Sequence, residues 1–155
     1  MYNNIFDSHA HYESEQFSAD REELLGSILP QKGVVGVINM GSDMDSLKQT
    51  VELCDKYDYF YGAVGIHPEC AGDLPEDWLQ QVEKLLSHPK IVAVGEIGLD
   101  YHWDTPRDLQ HFYFEEQLKL AKELDMPVII HDREAHGDTM ELVRKYRPRG
   151  VMHCF

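Results

Sequence analysis

Ile91-Val92-Ala93-Val94-Gly95-Glu96-Ile97-Gly98-Leu99-Asp100 runs from four apolar residues into a glutamate set between two glycines. An apolar run of this kind reads as a buried parallel strand, and an acid at its close reads as a functional group carried on a strand end. The arrangement recurs along the chain. Asp7-Ser8-His9-Ala10-His11 follows Ile5-Phe6, His67 follows the run 59–66, His131 closes Val128-Ile129-Ile130, and His153 follows Gly150-Val151-Met152.

Helical patterns fill the intervals. Leu24, Leu25, Ile28 and Leu29 give one apolar side to a short helix from Ala19 to Leu29, ended by Pro30, and Val34 to Met40 is then a continuously apolar strand. Met44, Leu47, Val51 and Cys54 recur at helical spacing, and Pro75 stands as a first helical residue ahead of Trp78, Val82, Leu85 and Leu86. A longer helix is expected from Arg107 to Leu124, presenting Phe114, Leu118, Ala121 and Leu124, and a last one around Met140 to Tyr146. Six such βα units with short connections specify an α/β fold with a parallel sheet and helices outside.

A doubly wound sheet gathers its site where the strand order reverses, whereas polar groups here follow the first, third, fourth, fifth and sixth strands. That distribution favours a (β/α)8 TIM-type barrel, of which this chain supplies about the first six units. The expectation is therefore a truncated barrel, with residues 1–155 forming the N-terminal part of a single domain. The final Gly150-Val151-Met152-His153-Cys154-Phe155 reads as a buried strand, which calls for a complementary C-terminal fragment to close the fold. No repeat, low-complexity run or linker divides the segment.

A net charge of −14 opposes broad attachment to a phosphate backbone. It leaves room for a nucleic acid held at one cation-lined spot, because bound divalent ions reverse the local field. Cys54, Cys70 and Cys154 have no CxxC spacing and read as reduced thiols. With no membrane-length apolar stretch and no secretory leader pattern, the expected location is cytoplasmic. Gly95 and Gly98 lack the GxGxxG spacing, which argues against a dinucleotide site.

Residues i and i+2 of a strand share a face, so His9 and His11 can grip one metal ion together. Asp7, two residues earlier, is a helper ligand, an acceptor for an imidazole N–H, or simply a turn former. Glu96 offers two oxygens and is the natural bridge between two cations, with His131 and His153 able to hold the second. His67, stiffened by Pro68, can reach a substrate oxygen or serve a structural turn. Arg133, Glu134 and His136 can bind a substrate phosphate or order their loop. Asp100, Tyr101 and His102 line an entrance or are ordinary loop residues, and Tyr12, Tyr101 and Trp103 can stack on a base or pack locally.

Five ordered motifs, Phe6 to His11, Gly65-Ile66-His67-Pro68, Gly95 to Asp100, the Gln110 to Gln117 helix leading to Pro127 to His131, and Gly150 to Phe155, resemble the TatD-related metal-dependent deoxyribonucleases within the amidohydrolase-like barrels. The resemblance implies that His9, His11 and Glu96 bind one metal and Glu96, His131 and His153 a second. It also implies a later aspartate, which no position of this chain matches. The implied activity is hydrolysis of phosphodiester bonds in DNA, by an exodeoxyribonuclease acting on DNA ends or on a small phosphodiester. Two divalent ions activate water there, drawn from zinc, manganese, magnesium, nickel or iron. Glu96, His67, Arg133 and His136 are the catalytic candidates. The competing expectations are a metal-dependent hydrolase of a small ester, lactone or amide, and an inactive metal-binding remnant.

Overall fold

The computed structural model describes residues 3–154 and contains six parallel strands: β1 (Ile5–Ala10), β2 (Val34–Gly41), β3 (Phe60–Val64), β4 (Ile91–Asp100), β5 (Val128–Arg133) and β6 (Gly150–Met152). Their spatial order is the order of the chain, β1-β2-β3-β4-β5-β6, and every neighbouring pair is parallel. Sequential order without reversal excludes the doubly wound alternative. The sheet curls so far that His9, just before the end of β1, and His153, just after β6, stack their rings 3.6 Å apart although their strands are at opposite edges. It is the curved wall of a barrel.

Helices α1 (Arg21–Glu23), α2 (Leu29–Gln31), α3 (Met44–Lys56), α4 (Trp78–Leu86), α5 (Arg107–Glu123) and α6 (His136–Tyr146) follow their strands. Asp43 starts α3 by accepting the N–H groups of Asp45 and Ser46, while the Ser46 hydroxyl accepts the N–H of Asp43. These bonds satisfy donors that a helix start leaves orphaned. The principal core lies between sheet and helices, with Leu25, Val37, Leu47, Phe60, Val82, Val94, Phe114 and Leu118 buried. A smaller cluster of Met40, Ala63, Ala93 and Ile129 forms on the concave face. Strands covered on both sides are therefore apolar at consecutive positions, as β2 and β4 are.

Three expectations need correction. Pro30 does not end the first helix: α1 and α2 join through a π turn over Leu24–Ile28, and Pro30 lies inside α2. Pro30 has no N–H to donate, and the widened turn before it accommodates that loss. Pro75 is not the first residue of α4, which begins at Trp78 after a turn in which Trp78 N–H donates to the Pro75 carbonyl. Among the described residues the sixth strand is open rather than buried, β6 pairing with β5 alone and Val151 being 59% exposed. Phe155, expected at the end of that strand, lies outside the described residues.

Candidate metal centre

The site sits at the C-terminal ends of the strands, where a barrel presents its functional groups. Glu96 is at its centre and is 3% exposed. One carboxylate oxygen, Oε2, lies 3.4 Å from His9 Nε2 and 3.8 Å from His11 Nε2, while Oε1 lies 3.3 Å from His131 Nδ1. The first, fourth and fifth strands thus meet at one acid. Burial works against its ionisation, but hydrogen bonds from His131 and His9 outweigh that effect and hold its pKa well below the usual carboxylate range.

Two donor groups share this carboxylate. His9, Glu96 and His153 bring ligand atoms within 4.8 Å of one another, and so do His67, Glu96 and His131. Imidazole nitrogens and one ionised carboxylate converging at that range fit a divalent cation of the first transition row. The resemblance implies that His153 and His131 share one ion, and here the ring of His153 stacks on that of His9. His11 stands slightly further from Glu96 than His9 does.

His67 has a distinct geometry. Its Nδ1 accepts the Glu69 N–H at 3.2 Å, and its ring packs edge-on against His131 at 4.4 Å. A neutral imidazole that accepts at Nδ1 carries its proton at Nε2, so the free face of His67 is a donor. Burial first, and then the neighbouring His131, pushes its pKa down to about 4, which keeps the ring neutral at physiological pH.

The outer partners come from residues that strand-end reading underrates. Asp100 is buried and its Oδ2 lies 2.8 Å from His131 Nε2, leaving Nδ1 to face Glu96. Glu13 Oε1 lies 3.4 Å from His11 Nδ1, and Glu13 Oε2 accepts the Asn39 amide at 2.7 Å. Asn39 is fully buried in β2, also donates to Thr50 Oγ1, and accepts the Tyr12 N–H. Asn39 interrupts an otherwise apolar strand, and that interruption was the available signal. Asp7, within β1, instead bonds its own segment, accepting the His9 backbone N–H and the Tyr12 hydroxyl.

Exchanging Glu13 for glutamine leaves one oxygen for two donors, so His11 loses its acceptor. Glu13→Gln is expected to weaken manganese binding about 10-fold in a calorimetric titration, as loss of an outer partner commonly does. An unchanged affinity would remove Glu13 from the site.

Arg133 is exposed at the end of β5, and His136, at the start of α6, holds Asp132 Oδ2 at 2.8 Å. Glu134 is exposed and contacts His102 at 3.1 Å, so part of this loop serves its own order. Of the three aromatics, Tyr12 packs on Phe17 and Phe60, and Tyr101 bonds Asp138 and His111. Trp103 is 50% exposed beside His102. Among the described residues no helix is long and apolar enough to cross a membrane.

The family model for TatD related DNase matches residues 6–155. An uncharacterized metal-dependent hydrolase, YabD of Bacillus subtilis, is 39% identical over 155 residues, covering 97% of this chain and 60% of its own length. The 3′-5′ ssDNA/RNA exonuclease TatD of Pantoea ananatis is 33% identical with the same coverages. Among solved structures, the TatD homologue YjjV of Escherichia coli K12 superposes with a TM-score of 0.89 at 34% identity, over 97% of this chain and 60% of that one. The chain thus spans about 60% of the length of the relatives it matches. A curled parallel sheet with histidines and a buried glutamate at its strand ends, matched over nearly the whole sequence, places the chain in the TatD-related DNase family.

Proposed function

We propose that the barrel to which this chain contributes hydrolyses phosphodiester bonds in DNA from an end, using two divalent ions held at the donor groups that share Glu96. The observation that carries the reading is the use of both Glu96 oxygens, one toward His9 and His11 and the other toward His131. A P. ananatis relative is named as a 3′-5′ exonuclease, and a Schizosaccharomyces pombe relative as a deoxyribonuclease. When bound, such ions supply Lewis acidity and lower the pKa of water toward neutrality.

His9, His11, Glu96, His131 and His153 would hold the ions. Four imidazoles suit zinc, nickel or iron, while the carboxylate and a substrate phosphate leave manganese or magnesium as candidates during turnover. His67 presents its Nε2 proton to a non-bridging phosphate oxygen and is not needed as a ligand. Arg133 brings a positive charge and His136 a further donor toward a non-bridging phosphate oxygen. The net charge of −14 and the absence of a long basic track suit a strand end more than a wrapped duplex. The reading assigns residues 1–155 to one barrel domain of a cytoplasmic enzyme.

The test is digestion of an end-labelled single-stranded oligonucleotide by the full-length protein with manganese, with and without chelator. Stepwise shortening that chelator abolishes is expected, with His67→Gln lowering kcat about 100-fold, the scale of one lost transition-state donor. Turnover of a lactone or amide with no loss of nucleotides would overturn the nuclease reading.

A further inference from the structure

We infer that two buried glutamines of α5, Gln110 and Gln117, are positioning residues that set the site from behind, Gln117 through His67 and Gln110 through Asp100 and His131. Both are essentially inaccessible, at 1% and 0% exposure. They stand seven residues apart, about two helical turns, and therefore on one face. A buried primary amide is costly unless its groups are bonded, and a leucine would fill the same space without that demand.

Each amide does what a neighbouring strand would do. The β3–β4 ladder reaches Val64 opposite Val94, and Ile66 lies beyond it. There Gln117 Oε1 accepts the Ile66 N–H at 2.6 Å and its Nε2 donates to the Ile66 carbonyl at 3.1 Å. Gln110 repeats the pattern one strand along. Its Oε1 accepts the Asp100 N–H at 2.7 Å, and its Nε2 donates to the carbonyls of Asp100 at 2.8 Å and Thr105 at 2.9 Å.

The two clamped residues are the ones from which the site is hung. Ile66 directly precedes His67, whose donor face depends on how the chain leaves β3. Asp100 Oδ2 holds His131 Nε2 at 2.8 Å and so fixes which nitrogen faces Glu96. One helix thereby sets a substrate-facing imidazole and a ligand-bearing imidazole by separate contacts. The functional weight of the inference rests on the reading of the site given above, whereas the positioning itself does not.

The experiment records imidazole 15N shifts in the metal-free full-length protein and then titrates manganese by calorimetry. Gln110→Met is expected to move the His131 ring nitrogens and leave those of His67, and Gln117→Met to do the reverse. Leu118→Ala, buried on the same helix, should lower the melting temperature and move neither. Manganese affinity should fall about 10-fold in Gln110→Met and stay within about two-fold in Gln117→Met. Gln110→Glu and Gln117→Glu keep the shape and an acceptor oxygen, and they replace the methionine variants if those fail to fold. Identical responses of both rings in all variants, or no response in either, would overturn the inference. Should the parent chain take up no manganese, the metal reading falls, and the reciprocal ring shifts alone decide the positioning.

Discussion

Replacing Glu96 with glutamine removes measurable divalent-cation binding from both donor groups at once. Glu96 is common to both groups, one being completed by His9 and His153 and the other by His131, beside which His67 faces the substrate rather than an ion. Glutamine keeps the length and planarity of the side chain but supplies one neutral oxygen where the acid supplies two charged ones. The weakening should exceed about 100-fold, more than removal of an outer partner costs. The melting temperature of the metal-free protein should fall, because the fold favours the ionised carboxylate over a neutral group at this position. One remaining site of near-native affinity in a manganese titration would show that the carboxylate is not shared.

Gly98→Ala is expected to destabilise the fold by about 3 kcal/mol or more, as a strained backbone position and a steric clash combine. Gly98 has φ +149°, a conformation that side-chain-bearing residues rarely adopt. A Cβ there would lie 1.9 Å from the His131 carbonyl oxygen, on the backbone of the neighbouring strand, where no flexible side chain can yield. Since Gly98 pairs with His131 in the β4–β5 ladder, relief of the clash must separate these strands and draw His131 away from Glu96. Urea unfolding would register the loss as a lower midpoint at unchanged slope. A shift equivalent to less than about 1 kcal/mol would mean that the strands part without cost.

The fold was legible because parallel strands covered on both faces leave continuous apolar runs, as in Val34 to Met40 and Ile91 to Val94. Glu96, His9, His11, His131 and His153 were legible as a set because each closes or follows such a run. Their partnering was not. Which imidazole faces which oxygen depends on the curl that brings β1 to β6, and no local pattern encodes it. Glu13 and Asn39 form their contact across twenty-six positions of sequence. Asp100 was legible only as an entrance-lining or loop residue, whereas it ends β4 opposite Arg133, two positions beyond the partner of His131, and its carboxylate reaches the His131 ring. Local spacing names candidates, whereas register and curvature assign them partners.

The stacking of His9 on His153 joins positions near the two ends of the described chain. Contacts that span so much chain carry the largest loop-closure entropy and form after the local βα units are in place. The metal-binding geometry should therefore be the last feature to assemble during refolding. Pulse-labelled hydrogen exchange during refolding would then show the amides of β2 to β4 protected before cation binding is recovered.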